Sequence, residues 1–407
     1  MNDQGHLLPF PQAPDGIELR HLRAFVAVAE ELSFARAADR LYISSPALSR
    51  QIRGLEQLIG SDLLKRSTHR VELTIAGEAL LHRARKLLQD VDEAVAATMQ
   101  VGGELQTRIA RLWQPLEGLL GAAQLHEART VIEEMQAQLE PPPGVDIRPV
   151  VAGGTPSLLA RGAGSPLPTV LYVHGGGYVL SSAFGYRPHG AAIAIASQRT
   201  VLIPDYRLAP EHPFPASVED CLSAYGWMLE RGVSPSEITV VGDSSGGGLA
   251  MSVLLALRER GGPMPAAAVL LCPWLDLRLT DEPEHGTTMV FTVDEWCRIA
   301  EMYLAGHPAD APVVNPLVAD LTGLPPMLIQ AATGDARLTD AKRLATRARA
   351  QGVEARLELY PVDAHAFHLF WSFLPEAADA IESAGMFIRA TVPIAVAGAV
   401  QRTGSEG

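Results

Sequence analysis

The sequence predicts a multidomain chain: a helical N-terminal module, then an α/β domain whose mainly parallel sheet is covered by helices on both faces. Three observations predict it. From residue 17 to about 100, apolar positions recur at steps of three and four, the period of a helix face. From about 145 to 390, the apolar runs "TVLYVHG", "TVLIPDY", "ITVVGD", "AAVLLCP", "PMLIQAA" and "ARLELYP" alternate with helical stretches, as in a parallel sheet with crossover helices. Between them "PPPG" at 141–144 breaks the chain. A length of 407 residues fits two or three domains at roughly 150 residues each.

The elements follow in order. "LRHLRAFVAVAEE" puts Leu22, Phe25, Val26 and Ala29 on one face, and Ser33 is placed to cap the next helix, "FARAADRLY". A third helix opens at Ser44-Ser45-Pro46, because proline at the first helical position lacks only a donor that would be unpaired there. Leu48, Ile52 and Leu55 form its buried stripe, which turns Arg50 and Arg53 elsewhere. After a strand-like "RVELT", a long helix begins near Ile75. Its seam of Leu80, Ala84, Leu87, Val91 and Ala94 suits pairing with a second helix or packing within its own domain. Gly102-Gly103 is predicted to stop it. Residues 104–140 read as one or two amphipathic helices, the α/β domain fills 145–390, and 391–407 reads as a flexible tail.

Composition narrows the class. With 47% hydrophobic and 19% charged residues, the chain reads as soluble with a sizeable core. No basic region followed by an apolar run opens it, so no signal peptide is expected, and no apolar run reaches the roughly 20 residues of a membrane span. Three widely spaced cysteines without a CxxC argue against a disulfide framework or zinc site and fit a reducing cytoplasm. The net charge of −13 speaks against nucleic-acid binding by the chain as a whole. It is uneven, however: 17–95 carries 12 Lys/Arg against 11 Asp/Glu, and Ser44–Arg70 five basic against two acidic residues. Such a local patch fits a dedicated DNA-contacting module.

The α/β half carries the chemistry. "ITVVGDSSGGGLAMSVLLALRERG" sets G-x-S-x-G (Gly242, Ser244, Gly246) between an apolar strand and a helix, the context of a nucleophile elbow. "HGGGY" directly follows another strand, so the N–H groups of Gly175 and Gly176, with that of Ser245, are expected to bind an oxyanion. His174 reads as a structural hydrogen-bonding residue. A serine needs a base and the base an orienting carboxylate. In the order Ser, acid, His, the acid candidates are Asp335 and Asp340, and the bases are His365 and His368. All lie just past carboxyl ends of strands, where active sites of open α/β sheets gather. Asp335 and His365 are nearer their strand ends and are preferred; Asp340 reads as the cap of the following helix.

These motifs carry a resemblance. With "HGGGY", "DYRLAPEHPFPA", "GDSSGG", "DARLTD" and "HAF" in that order, residues from about 105 to 390 resemble the hormone-sensitive-lipase-like family of α/β-hydrolase carboxylesterases. The resemblance implies Ser244 as nucleophile, His365 as general base then acid, Asp335 as its partner, and an oxyanion hole from Gly175, Gly176 and Ser245. It also implies cap helices over 105–140 and about 280–315, and cleavage of short to medium acyl esters with no metal and no cofactor. One departure is "DARLTD", where the family often has "DPL".

Residues 17–95 resemble the all-α winged helix-turn-helix domain and linker helix of LysR-type transcriptional regulators, through "LRHLRAFVAVAEELSFARAADRL", "SSPALSRQIRGLEQLIGSDLLKR" and "LTIAGEALL". This implies a DNA-binding domain at 17–75 and a linker and dimerisation helix at 76–101. The helix from Ser45 would enter a major groove of double-stranded DNA. Ser44, Ser45, Ser49, Arg50 and Arg53 would lie near phosphates or base edges, and Arg66 and Arg70 in or beside the wing. The family often has Gln where this chain has Ser45. Nothing resembles the effector-binding domain that such regulators carry; the hydrolase-like part stands in its place. The reading is a cytoplasmic serine esterase, expected to be a homodimer, that carries a DNA-binding head. The alternatives are a regulator that uses a hydrolase-like domain as a ligand sensor without turnover, and a fusion whose head has no regulatory role. Retention of serine, acid, histidine and glycine loop favours catalysis.

Overall fold

A computed structural model of the chain describes residues 16–66, 71–116, 118–119, 124–162, 167–279 and 291–392. It divides into two compact units, Met1–Glu104 and Leu105–Gly407. The predicted tail, apart from Thr391 and Val392, lies outside the described residues, as does 280–290 of the second cap segment.

The first unit contains α1 (Leu19–Glu31), α2 (Phe34–Arg40) and α3 (Ser45–Ile59), an antiparallel pair β1 (Leu64–Arg66) and β2 (Val71–Leu73), and the part of α4 (Ile75–Trp113) that precedes Leu105. Local chemistry starts each helix. Ser33 Oγ accepts from Arg36 N–H and Ser44 Oγ from Ala47 N–H, each closing an N-cap. Leu48, Ile52 and Leu55 are buried in one cluster with Phe25, Val28 and Leu63. The seam of α4 divides: Ala84 is buried and Leu80 packs against that same cluster, whereas Leu87 is exposed. Helix α4 also runs through Gly102-Gly103, where the sequence predicted a stop. Glycine costs only about 1 kcal/mol in a helix interior, and Gly103 does not adopt the left-handed conformation of a helix end. Beyond it Leu105, Ile109, Leu112 and Trp113 recur at helical spacing and pack into the second unit's core, which favours continuation.

In the second unit come α5 (Leu125–Ala137), β3 (Asp146–Ala152), β4 (Thr155–Arg161), β5 (Pro168–Val173), α6 (Arg187–Ser197), β6 (Thr200–Pro204), α7 (Ala216–Glu230), β7 (Thr239–Asp243), α8 (Ser245–Glu259), β8 (Ala267–Leu271), α9 (Val293–Leu304), β9 (Met327–Ala332), α10 (Leu338–Ala350), β10 (Ala355–Tyr360) and α11 (Pro375–Thr391). Among the described residues these strands form one sheet, ordered β10-β9-β8-β7-β5-β6-β4-β3. It is parallel from β10 to β6 and antiparallel where β4 pairs with β6 and β3. Every residue of β5 to β9 is buried, which is why those runs read as continuously apolar. Alternation still sorts the faces. Leu171 and Val173 pack on the side of α7, α8 and α10, while Val170 and Tyr172 pack on the side of α6 and α11. The edge strand β3 is largely exposed and carries Pro149, which an edge tolerates.

Candidate active site

The centre of the sheet makes the site. Strand β7 ends at Asp243 and α8 begins at Ser245, so Ser244 alone carries the turn, at φ 51° and ψ −122°. Such a backbone costs roughly 1–3 kcal/mol and persists only where its surroundings fix it. They do: Ser244 N–H donates to Leu271 O at 2.9 Å, and its carbonyl accepts from Trp274 N–H at 2.9 Å. A Cβ at Gly246 would lie 2.2 Å from Val173 O, so the helix start abuts β5 only because the residue is glycine.

Ser244 Oγ lies 2.7 Å from His365 Nε2, and His365 Nδ1 lies 2.9 Å from Asp335 Oδ1. The same Asp335 oxygen accepts from Arg337 N–H at 2.7 Å. Ser244, His365 and Asp335 are 7%, 6% and 1% exposed. The edge of Trp296, from α9, meets the His365 ring at 5.5 Å between centroids. The cavity in front of Ser244 has a volume of about 30 Å³, and its walls include Trp113, Ile132, Leu180, Tyr186 and Leu369. A wider groove of about 540 Å³ along β3 and β4 holds none of the triad. Among the described residues, no group of three or more His, Cys, Asp or Glu side chains is arranged to hold a metal.

The competing candidates go elsewhere. His368 Nε2 lies 3.1 Å from Gln330 Oε1, and burial drives its imidazole well below the usual range. Asp340 is not the predicted cap. It sits inside α10, where its Oδ2 accepts from Leu275 and Asp276 N–H at 2.8 and 3.1 Å. Burial pushes its carboxyl up to about 6. His174 is structural: buried, stacked on Tyr206 at 4.2 Å, its Nδ1–H donating to Gly175 O at 2.8 Å.

The glycine loop also differs from expectation. Gly175 N–H donates to Asp243 Oδ1 at 2.9 Å, so it is not available to an oxyanion. Gly176 (φ +115°) and Gly177 (φ +63°) follow and line the cavity. Among the described residues no protein oxygen accepts from their N–H groups. A Cβ at Gly176 would meet Leu180 O at 2.3 Å.

Residues 170–369 match the family described as alpha/beta hydrolase fold. The chain is 40% identical to an acetyl-hydrolase of Streptomyces hygroscopicus, over 63% of this chain and 86% of that one. The chain belongs to the α/β-hydrolase family of carboxylesterases. An Acinetobacter venetianus esterase is 31% identical to this α/β-hydrolase over 64% of the chain and 87% of its own length. A crystal structure of a bacterial hormone-sensitive-lipase-family esterase superposes with a TM-score of 0.66 at 38% identity, covering 70% of this chain and 97% of that one. Residues 19–78 match the lysR family of bacterial regulatory helix-turn-helix proteins, so this esterase carries a regulator-type head.

On that head Ser44, Ser45, Arg50 and Arg53 are exposed and Ser49 is half-buried, all on or beside α3. Arg53 folds back, its Nε donating to Ser49 O and its Nη2 to Ser49 Oγ. Arg66 ends β1 but its side chain lies outside the described part, as do residues 67–70. Among the described residues no helix is long and apolar enough to cross a membrane.

Proposed function

We propose that the protein hydrolyses short acyl esters through Ser244, His365 and Asp335, and that its head binds double-stranded DNA. Ser244 Oγ attacks the ester carbonyl while His365 Nε2 takes its proton. Asp335 holds the Nδ1 proton and steadies the imidazolium that forms. The N–H groups of Gly176, Gly177 and Ser245 receive the oxyanion, Gly177 replacing Gly175 for the reason above. His365 then protonates the departing alcohol, and water, activated by the same imidazole, releases the acid.

The observation that carries this reading is the unbroken line from Ser244 Oγ through both His365 nitrogens to Asp335, at 2.7 and 2.9 Å. The small cavity supports short acyl groups, in keeping with the acetyl-hydrolase relative. No metal or cofactor is needed for any step. The exposed side chains on α3 support phosphate and groove contacts, and the exposed Leu87 on α4 supports pairing of two chains through that helix. A cytoplasmic site of action follows from binding DNA. Hydrolysis of p-nitrophenyl acetate by Ser244→Ala tests the enzymatic half: activity should vanish, and persistence would reject it.

A further inference from the structure

We propose that Asp243 is a positioning residue for catalysis: by accepting the Gly175 N–H it fixes the glycine loop so that Gly176 and Gly177 N–H face the developing oxyanion. This rests on Ser244 being the nucleophile.

Asp243 ends β7, directly precedes Ser244 and is 1% exposed. A buried carboxylate must be fully paired, and this one is. Its Oδ1 accepts from Gly175 N–H and from the Tyr172 hydroxyl, both at 2.9 Å, and its Oδ2 accepts from the Tyr186 hydroxyl at 2.7 Å. A backbone N–H can only donate, so the Gly175 contact requires an acceptor oxygen at this point. Asp243 is not the partner of His365, whose Nδ1 belongs to Asp335.

The donors are themselves oriented. Tyr172 Oη lies 2.5 Å from His189 Nδ1. Since the tyrosine proton points to Asp243, the His189 Nδ1–H donates to Tyr172. Burial holds the His189 imidazole neutral, pushed down to about 3, and so leaves it a single N–H. Burial also raises both tyrosines and keeps them protonated. The line from His189 through Tyr172 therefore runs in one direction and ends on Asp243 Oδ1, the same oxygen that accepts the Gly175 N–H.

The loop is pinned at both ends. Its backbone presses on Asp243 at the start: a Cβ at Gly175 would lie 2.5 Å from Asp243 Oδ2. At the far side, Gly176 O accepts from Val179 and Leu180 N–H at 3.2 and 2.8 Å. The Gly176 N–H lies between these anchors, and the Gly177 N–H shares the planar peptide of the second. Released from Asp243, the Gly175 end loses its buried acceptor and with it the aim of the next two N–H groups.

The test uses the purified full chain, with p-nitrophenyl acetate as substrate and a trifluoromethyl ketone, whose adduct with a serine carries an oxyanion, as inhibitor. In Asp243→Ala, kcat should fall about 10²-fold, the effect of losing one oxyanion donor, with KM within threefold and ketone affinity falling in parallel. Asp243→Asn keeps an oxygen for Gly175 N–H but replaces the other acceptor oxygen with an NH2 group; it should recover most of the loss and remain three- to tenfold below the parent. A folded Asp243→Ala with kcat within threefold of the parent overturns the proposal, as does a loss borne by KM with ketone affinity unchanged. Should Asp243→Ala not fold, Asp243→Asn decides: a three- to tenfold loss in both kcat and ketone affinity supports the proposal, and full retention of both overturns it. Ser244→Ala in the same assay separates the two failures. Turnover by Ser244→Ala sinks the nucleophile reading. Inactivity of that variant beside a fully active Asp243→Ala sinks only the positioning role.

Discussion

The two units carry their functional side chains in opposite ways. In the hydrolase unit Ser244, His365, Asp335 and Asp243 are all buried, and each is fixed by partners within 3 Å. On the head, Ser44, Ser45, Arg50 and Arg53 stand in solvent over a small apolar cluster. Chemistry on a carbonyl needs charges held in a dry, preset frame, because electrostatic stabilisation weakens with every water admitted. Reading a polyanion needs exposed groups that release counterions and adjust to the groove. The buried frame therefore tolerates few substitutions, while the exposed face should respond in small steps.

The contrast can be broken most sharply at Ser244. Ser244→Ala should lower ester hydrolysis by on the order of 10⁴-fold or more and leave retention of its own upstream DNA in a gel-shift titration unchanged. A shift in DNA affinity of the unliganded variant would show that the units are not independent in this respect.

Next in size is the head's core. Ile52→Ala removes a fully buried side chain from α3 and should destabilise the head by roughly 2–5 kcal/mol. DNA binding should collapse while kcat on p-nitrophenyl acetate stays within twofold. A matching loss of esterase activity would contradict the separation.

The buried carboxylates sharpen the comparison through pH. Asp340 titrates near 6 in the folded protein because burial disfavours its charge; Asp276 adds to the rise, while Arg337 and the Leu275 and Asp276 N–H groups oppose it. An acid whose folded value is raised keeps its proton in the native state when the unfolded chain has released it. Stability is therefore greater below about 4 and falls as pH rises towards 6. The drop is about 3 kcal/mol for a shift of roughly two units. Burial also pushes the Asp243 carboxyl up to about 6, so Asp340→Asn should remove roughly half of the pH dependence, read as urea midpoints at pH 4 and pH 6.5. An identical pH dependence in parent and variant would refute the assignment.

The smallest effect belongs to the exposed face. Arg50→Ala should weaken DNA binding several-fold and reduce the slope of log K against log salt by about one. An unchanged slope would remove Arg50 from the phosphate contacts.

What the sequence made legible follows the same division. The strained elbow at Ser244 and the capped start of α3 are written in residue types that no other backbone geometry requires, so both could be read directly. Strands β5 to β10 were legible as apolar runs. The β3–β4 hairpin was not, because the edge strand β3 mixes Asp146, Arg148 and Pro149 into its pattern and an edge strand needs only one apolar face. Gly102-Gly103 read as a stop because the burial of Leu105, Ile109 and Trp113, which favours continuing α4, depends on contacts far along the chain. The assignment of Gly175 failed for a related reason. Its N–H is taken by Asp243, 68 positions away, and spacing within "HGGGY" carries no trace of that. A signal was present: a carboxylate ending the otherwise apolar strand "TVVGD" must find buried donors, and it finds them in the Tyr172 and Tyr186 hydroxyls and the Gly175 N–H.

The central claim is that one serine, paired with His365 and Asp335, does the hydrolysis. Titration with a fluorescent alkyl phosphonate, followed by peptide mass mapping, tests it most directly. The account predicts one label per chain, on Ser244, with esterase activity lost in proportion to labelling. A label on another residue, or activity that survives complete modification of Ser244, would contradict it.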